Sequence, residues 1–143
     1  PTLRLRRLVL QLAGAMLATP MPLQVSWAET NPAPLAVAVV AGGFLIPAEQ
    51  YQSYSRALEG IGCATLLYAD ESTLSKPQAP TESAHTVLDK VEARATLAKI
   101  PPSAPLVLIG HSRGCKTCIA AAAQSQRRVA ALVLLDPVDK TDA

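Results

Sequence analysis

Four short apolar runs alternate with segments of helical pattern along most of this chain. No charged residue interrupts the runs, which are residues 35–41, 63–68, 106–109 and 129–135. Runs of this length without polar alternation are typical of strands buried on both faces, as in a parallel sheet. The segments between them have helical spacing and are residues 48–59, 81–99 and 113–126. This order predicts an α/β fold, in which a mainly parallel sheet carries helices on both faces.

The segment 81–99 has the clearest helical pattern. Thr81 stands where a helix N-cap is expected, after a loop over residues 71–80. A single apolar stripe follows, formed by Val87, Leu88, Val91, Ala95 and Leu97. We expect this stripe to face the sheet.

Composition limits the classes of partner. Half of the 143 residues are hydrophobic but only 3% are aromatic, which predicts an aliphatic core. The formal net charge is +2, and the chain without Arg4, Arg6 and Arg7 is close to neutral. No long basic run remains without them, which argues against nucleic acid as a partner. One close pair of cysteines is too small a ligand set for a zinc site, so we expect neither metal nor cofactor.

Residues 1–28 have the features of a targeting or export signal. Arg6 and Arg7 precede an apolar run, and no acidic residue occurs before Glu29. The run is shorter than the roughly 20 residues that a membrane-spanning helix needs. Paired arginines also fit twin-arginine export. The alternative is a first amphipathic helix of the fold. Because the first residue is Pro rather than Met, we expect further polypeptide before it.

Residues 110–114 read Gly-His-Ser-Arg-Gly and lie between a predicted strand and a predicted helix. In that context the serine of a Gly-x-Ser-x-Gly sequence is a nucleophile, presented on a tight and strained turn. The flanking glycines leave room for the neighbouring strand and helix. Ser112 is therefore the predicted nucleophile, and the helix N-terminus behind it favours a developing oxyanion.

Two backbone N–H groups are expected to bind that oxyanion. One is the N–H of Arg113, the residue after the nucleophile. The other is expected from residues 41–45, where two adjacent glycines would let the backbone approach the substrate and Phe44 or Leu45 would donate. Two glycines that merely end a strand are the alternative.

The acid and the base of the triad should follow the nucleophile in the order Asp or Glu, then His. Asp136 ends the strand after the nucleophile helix and is the predicted acid, with Asp139 and Asp142 as substitutes. The chain has only His85, expected on the surface, and His111, expected to turn away from the serine hydroxyl. We therefore expect no catalytic His in this chain, hence a truncated hydrolase with little or no activity and an exposed sheet edge.

The stretch Leu-Ile-Gly-His-Ser-Arg-Gly-Cys-Lys-Thr, residues 108–117, and the stretch Ala-Leu-Val-Leu-Leu-Asp-Pro-Val-Asp, residues 131–139, resemble the chlorophyllases. These are α/β-hydrolases that cleave the phytyl ester of chlorophyll. The resemblance implies that residues 29–143 are the N-terminal portion of an α/β-hydrolase domain, with Ser112 as nucleophile and Asp136 as acid. The sequence departs from the family at Cys115, which replaces a second Gly.

The same resemblance implies a small-molecule ester substrate, of which chlorophyll is the example, and a role in chlorophyll catabolism. It also implies a chloroplast or thylakoid location for the signal, with secretion as the alternative, and peripheral membrane association through a hydrophobic substrate. Gly42 stands where many chlorophyllases have His, which makes different hydrogen bonding in the oxyanion loop an expectation.

Cys115 and Cys118 form a Cys-x-x-Cys at the start of a helix, which supports a different hypothesis. A helix N-terminus can lower a thiol pKa, and this spacing suits a thiol–disulfide redox module or a regulatory disulfide beside the nucleophile. Two small buried helix residues are the simpler interpretation. A hydrolase relative without catalysis is a third hypothesis.

Overall fold

The computed structural model describes residues 33–69, 76 and 78–138. They belong to Asn31–Ala143, one of the two units into which the chain divides. The predicted signal over residues 1–28 lies outside the described residues, as do Asp139 and Asp142, and all three stay predictions.

Strands and helices alternate throughout the described residues, as the apolar runs predict. In chain order they are β1 (Ala36–Ala41), a short 3-10 turn (Ala48–Tyr51), α1 (Gln52–Gly60), β2 (Cys63–Tyr68), α2 (Pro80–Leu97), β3 (Leu106–His111), α3 (Arg113–Gln124) and β4 (Val129–Leu135). The predicted segment 48–59 is thus a 3-10 turn that continues into α1.

The four strands form one sheet in the order β2-β1-β3-β4, and every neighbouring pair is parallel. The first strand lies inside the sheet, and each of its side chains is buried. A strand buried in this way needs no polar residue on either face, which is why β1 is a continuous run of Ala and Val. The predicted parallel sheet is confirmed.

Both faces of the sheet are covered, also as predicted. On one face α2 and α3 pack on the strands, and the core there includes Val37, Val39, Leu106, Leu108, Val87, Val91, Cys118 and Ala121. On the other face the 3-10 turn and α1 cover a smaller core of Val40, Tyr51 and Ile109, with Leu58 and Leu135 against it. The large core is aliphatic apart from Tyr68 and Cys118.

The second helix differs from its prediction at both ends. It begins at Pro80, and the Glu82 carboxylate accepts a hydrogen bond from the Ala79 N–H at 3.3 Å, so Thr81 lies inside the first turn and is not the cap. Pro suits this first position because its missing N–H has no helical partner there. Leu97 is 80% exposed and is not part of the apolar stripe. The buried face instead extends toward the N-terminus through Ala84.

The strand order places one crevice at the carboxyl ends of β1 and β3. The chain leaves β1 toward β2 on one side, whereas β3 lies on the other side and leads to β4. Open parallel sheets bind ligands at such a switch point. It brings residues 42–46, which follow β1, next to the turn between β3 and α3.

Candidate active site

Ser112 occupies the turn between β3 and α3 in a backbone conformation that side chains rarely adopt. Its φ is 52° and its ψ is −121°, and α3 begins at the next residue. Such a conformation costs about 1–3 kcal/mol in a non-glycine residue. The strained strand-to-helix turn that the sequence predicts is therefore present.

Two glycines make this turn possible by leaving space for backbone atoms. A Cβ added to Gly110 would lie 2.6 Å from Cys115 Cα, and a Cβ added to Gly114 would lie 2.2 Å from the Ala41 carbonyl oxygen. Neither contact can be relieved by rotating a side chain, because both partners are backbone atoms. The predicted role of these glycines is confirmed, and it extends to β1, whose last residue contacts Gly114.

The backbone of Ser112 is held from both sides. Its N–H donates to the Leu135 carbonyl at 2.9 Å, and its own carbonyl accepts from the Cys115 N–H at 3.0 Å. The Ser112 side chain is half-buried, and its hydroxyl has no hydrogen-bond partner among the described residues. The hydroxyl is thus available to a substrate and to a base.

The loop after β1 runs directly alongside Ser112. A Cβ on Gly43 would approach the Ser112 Cβ to 3.2 Å. The Gly43 N–H donates to the Tyr51 hydroxyl at 3.0 Å, and the Ile46 N–H donates back to the Gly43 carbonyl at 3.2 Å. Between them the N–H of Phe44 donates to no acceptor in the described part of the chain. The N–H of Leu45 likewise has no acceptor there, so both predicted donors are unused.

Arg113 connects this loop to the segment before α2. Its guanidinium lies 5.4 Å from the centre of the Phe44 ring, and its Nη2 donates to the Gln78 carbonyl at 2.5 Å. A guanidinium over an aromatic face is attractive, and Arg makes such contacts more often than Lys. The Arg113 side chain therefore helps to fix the ring of Phe44, the predicted oxyanion residue.

Asp136 directly follows β4, the strand that pairs with β3 ahead of the predicted nucleophile. His111 of β3 pairs in register with Leu135 of β4, so Asp136 is the first residue beyond the carbonyl that holds Ser112. Asp136 has a φ of 49° and is exposed, and its carboxylate has no partner among residues 33–69, 76 and 78–138. The carboxylate is free to accept a hydrogen bond from a histidine.

Neither histidine is placed as a base for Ser112. His85 is exposed on α2. His111 turns its Nδ1 toward the Tyr51 hydroxyl, at 2.8 Å, and makes no hydrogen bond to the Ser112 hydroxyl in the described part of the chain. Sequence reasoning did not identify Tyr51, because the residue lies 60 positions from His111 and no local pattern marks the contact.

The cysteines do not have the properties that the redox hypothesis requires. Cys115 and Cys118 are both free and buried, and the Cys115 thiol donates to the Gly110 carbonyl at 3.2 Å. Burial raises the pKa of Cys115, and it raises the pKa of Cys118 to about 12. A reactive thiol at a helix N-terminus needs the opposite shift. The expected lowering of a thiol pKa is therefore wrong, and the two residues are core residues.

A cavity of about 360 Å³ lies away from the turn, at the other end of α3. It is lined by α2 residues and by Gln124 to Arg127, which follow or end α3. Within the described ranges no group of three or more His, Cys, Asp or Glu side chains is placed to hold a metal ion. No helix there combines the length and the apolar character that crossing a membrane requires.

A family model described as alpha/beta hydrolase fold matches residues 69–143. The solved structure of YbtT, the type II thioesterase from the yersiniabactin NRPS/PKS biosynthetic pathway, is similar over 63% of this chain and 36% of its own, at 19% identity and a TM-score of 0.43. This chain thus spans little more than a third of the length of that thioesterase. No curated protein matches the sequence significantly.

Proposed function

The chain belongs to the alpha/beta hydrolase fold family, and we propose that it carries the nucleophile, the acid and the oxyanion loop of a serine carboxylic-ester hydrolase. The observation that carries this proposal is the conformation of Ser112. A residue with φ 52°, flanked by two glycines whose hydrogens touch backbone, is costly to maintain unless the turn has a use. The use proposed is to present the hydroxyl beside Gly43 and Phe44.

In the proposed reaction the Ser112 Oγ attacks the ester carbonyl carbon while a base takes the hydroxyl proton. The carbonyl oxygen becomes an oxyanion, which accepts hydrogen bonds from the N–H groups of Phe44 and Arg113. The C–O bond to the alcohol then breaks, the base returns the proton to the alcohol, and an acyl-enzyme remains on Ser112. Water hydrolyses that ester in the same way and restores the hydroxyl.

The base is proposed to be a histidine outside these 143 residues. His85 precedes Ser112 in the chain, whereas the expected base follows it, and His85 is exposed. The Nδ1 of His111 contacts the Tyr51 hydroxyl. Asp136 is proposed to hold the incoming histidine, since its carboxylate is unpaired in the described part of the chain and follows the strand beside Ser112. Asp139 and Asp142 are the substitutes for this role.

For the substrate we propose a hydrophobic ester, with the phytyl ester of chlorophyll as the specific candidate. The support is the resemblance of residues 108–117 and 131–139 to the chlorophyllases. Leu45, 63% exposed within the proposed oxyanion loop, offers an apolar surface that suits a long alcohol. Chlorophyll catabolism, contact with a membrane through the substrate, and chloroplast targeting by residues 1–28 belong to the same proposal.

The test is to express the longest reading frame that encodes this sequence and to treat it with a fluorophosphonate probe. Peptide mapping should find the phosphonate on Ser112, and Ser112→Ala should abolish labelling. Hydrolysis is then measured on chlorophyll, p-nitrophenyl esters and acyl thioesters. Ser112→Ala and Asp136→Asn should lower kcat by about 10⁴-fold or more, as expected for a triad member.

Ser53→Ala is the matched control, because Ser53 is exposed on α1 and makes no hydrogen bond among the described side chains. Labelling at a different residue, or undiminished hydrolysis by Ser112→Ala, would refute the proposed nucleophile. Activity that survives Asp136→Asn but not Asp139→Asn would move the acid to Asp139. Hydrolysis of simple esters but not of chlorophyll would indicate a hydrolase that acts on another class of ester.

The proposed targeting signal is tested separately, by fusing residues 1–28 to a fluorescent protein. Import into chloroplasts with cleavage of the segment is the expected result. Export by a twin-arginine route without chloroplast import would support secretion instead.

A further inference from the structure

Tyr51 joins the loop after β1 to the residue before Ser112. It ends the 3-10 turn, lies 60 positions before His111 in sequence, and is only 7% exposed. Its hydroxyl has two polar neighbours, the Gly43 N–H at 3.0 Å and the His111 Nδ1 at 2.8 Å. The Tyr51 hydroxyl makes no further hydrogen bond among the residues described.

The proton positions in this chain of contacts follow from the donors available. A backbone N–H can only donate, so the Tyr51 oxygen accepts from Gly43. The phenol proton then needs an acceptor, because a buried donor without a partner is costly. His111 Nδ1 is the acceptor within reach, and it can accept only when the imidazole proton is on Nε2. The satisfied arrangement is therefore Gly43 N–H to Tyr51 O–H to Nδ1 of an Nε2-protonated His111.

The Tyr51 ring also supports the loop by direct packing. A Cβ added to Gly42 would lie 2.6 Å from the Tyr51 Cε2, so the bare backbone of Gly42 rests on the edge of the ring. The ring contacts one residue of the loop and the hydroxyl binds the next. With Gly43 and Ile46 both using their N–H groups internally, Phe44 is left as a donor in a loop held at both ends.

We propose that Tyr51 is a positioning residue of the oxyanion site, which fixes the backbone of Gly43 and Phe44 through its hydroxyl and holds His111 as the Nε2–H tautomer. This inference rests on the proposed function for its catalytic consequence. The tautomer and the loop geometry do not depend on turnover.

The first measurement is ¹⁵N NMR of the uniformly ¹⁵N-labelled chain, compared with Tyr51→Phe. In the wild-type chain His111 should show a pyridine-type resonance at Nδ1 and a pyrrole-type resonance at Nε2. The Phe variant keeps the ring and removes the hydroxyl, so the two tautomers should mix. The Gly43 amide should also exchange its hydrogen about tenfold faster, and the Phe44 amide resonance should shift.

The second measurement is hydrolysis by the longest reading frame. Loss of a fixed oxyanion donor acts in the transition state, so Tyr51→Phe should lower kcat by about tenfold to a hundredfold and leave KM nearly unchanged. Tyr54→Phe is the matched control, because Tyr54 is 44% exposed and its ring lies 6.4 Å from that of Tyr51. It should change neither the tautomer nor kcat.

The two measurements separate the two proposals. A wild-type His111 protonated on Nδ1, or a Tyr51→Phe variant with unchanged Gly43 exchange and Phe44 amide, overturns the positioning role. Normal kcat in a Tyr51→Phe variant whose loop has demonstrably loosened overturns it as well. The expected NMR result without hydrolysis of any ester would support the positioning of the loop and count against the proposed hydrolase function alone.

Discussion

At the scale of single residues, the turn around Ser112 depends on two glycines, which have no side chain. Gly110 and Gly114 sit against backbone atoms of Cys115 and Ala41, so their hydrogens are the largest substituents that fit. Flexibility of the glycines is not the reason, since neither has a positive φ. The strained φ belongs to Ser112 itself, between them.

Substitution of Gly114 by Ala should therefore be among the most destabilising small changes in the chain. Its Cβ would overlap the Ala41 carbonyl at 2.2 Å, and relief requires α3 and β1 to move apart. We expect a loss of about 3 kcal/mol or more in the free energy of unfolding, measured by urea denaturation.

Gly60→Ala is the matched comparison. Gly60 ends α1, and a Cβ there would meet nothing within 4 Å, so the same change should raise stability by up to about 1 kcal/mol. Equal effects of the two substitutions would contradict the packing of α3 against β1.

The thiols should be unreactive in the folded chain. A pKa of about 12 for Cys118, three units above the ordinary 9.0, leaves a thiolate fraction roughly a thousandfold smaller near pH 8. Iodoacetamide should modify the half-buried Cys63 first, and Cys115 and Cys118 only in denaturant. Rapid native labelling of either buried thiol, located by mass spectrometry, would revive the redox hypothesis.

At the scale of elements, Arg127 ties the segment before β4 to α2 and to the loop before β3. Its side chain is 4% exposed and makes paired hydrogen bonds to the Glu92 carboxylate, at 2.7 and 2.9 Å. Its Nη1 donates to the Pro101 carbonyl at 2.9 Å and to the Ala104 carbonyl at 3.3 Å. The Arg127 guanidinium thus donates hydrogen bonds both to α2, through the Glu92 carboxylate, and to backbone carbonyls of the loop before β3.

This arrangement predicts how stability changes with pH. The hydrogen bonds from Arg127 lower the pKa of the Glu92 carboxyl below its ordinary 4.5. The stabilisation is therefore complete above pH 4.5 and is lost as the pH falls through the lowered value. Glu92→Gln should flatten the acid side of a stability–pH curve from urea denaturation. The curve should still fall, because the Thr65 hydroxyl lowers the pKa of Glu59 as well.

Arg127→Lys should lower the free energy of unfolding more than Glu92→Gln does near neutral pH. An ammonium cannot bridge the carboxylate and two carbonyls at once, and unsatisfied carbonyls cost about 1–3 kcal/mol. Because Glu92 is 59% exposed, its own charge contributes less than the carbonyl contacts. If Glu92→Gln lowers the free energy of unfolding more than Arg127→Lys does, the ion pair contributes more to stability than the hydrogen bonds to the loop carbonyls.

The elements were predictable from the sequence because each strand is an uninterrupted apolar run. The range 63–68 is β2 and the range 129–135 is β4, as predicted, because short apolar runs without a charged residue are typical of parallel strands even where, as in β4, the strand lies at an edge. The turn at Ser112 was predictable because its glycines are local. The contacts of Tyr51 and Arg127 were not, since each joins residues that are brought together only by the packed sheet. The nucleophile's role, the acid and the address stay predictions.

At the scale of the whole molecule, β4 is the more exposed of the two edge strands of the sheet in the described part of the chain. β4 pairs only with β3, and Leu132, Val133 and Leu134 are each about 40% exposed. Three consecutive residues point to alternating faces, so both faces of this strand contact solvent. An apolar outer strand of this kind is a site for association.

The 143-residue chain should therefore self-associate, with a mean mass that rises with concentration in sedimentation velocity. Val133→Lys should reduce this association, because charge on an outer strand opposes pairing. Leu97→Lys is the comparison, because Leu97 is 80% exposed on α2, and it should leave the association unchanged. A chain that stays monomeric at every concentration would show that β4 is not an adhesive surface.

The carbonyl of Leu135 gives this open strand a second importance. It accepts the Ser112 N–H and, at 3.5 Å, the Cys115 thiol, so the turn that presents the serine is anchored to the outermost element of the sheet. Outer strands open in partial fluctuations that leave interior strands intact. When β4 frays, Ser112 loses the bond that maintains its strained backbone while β1, β3 and the helices persist. Fraying of β4 is therefore expected to disturb the turn that presents the proposed nucleophile before the interior of the sheet unfolds.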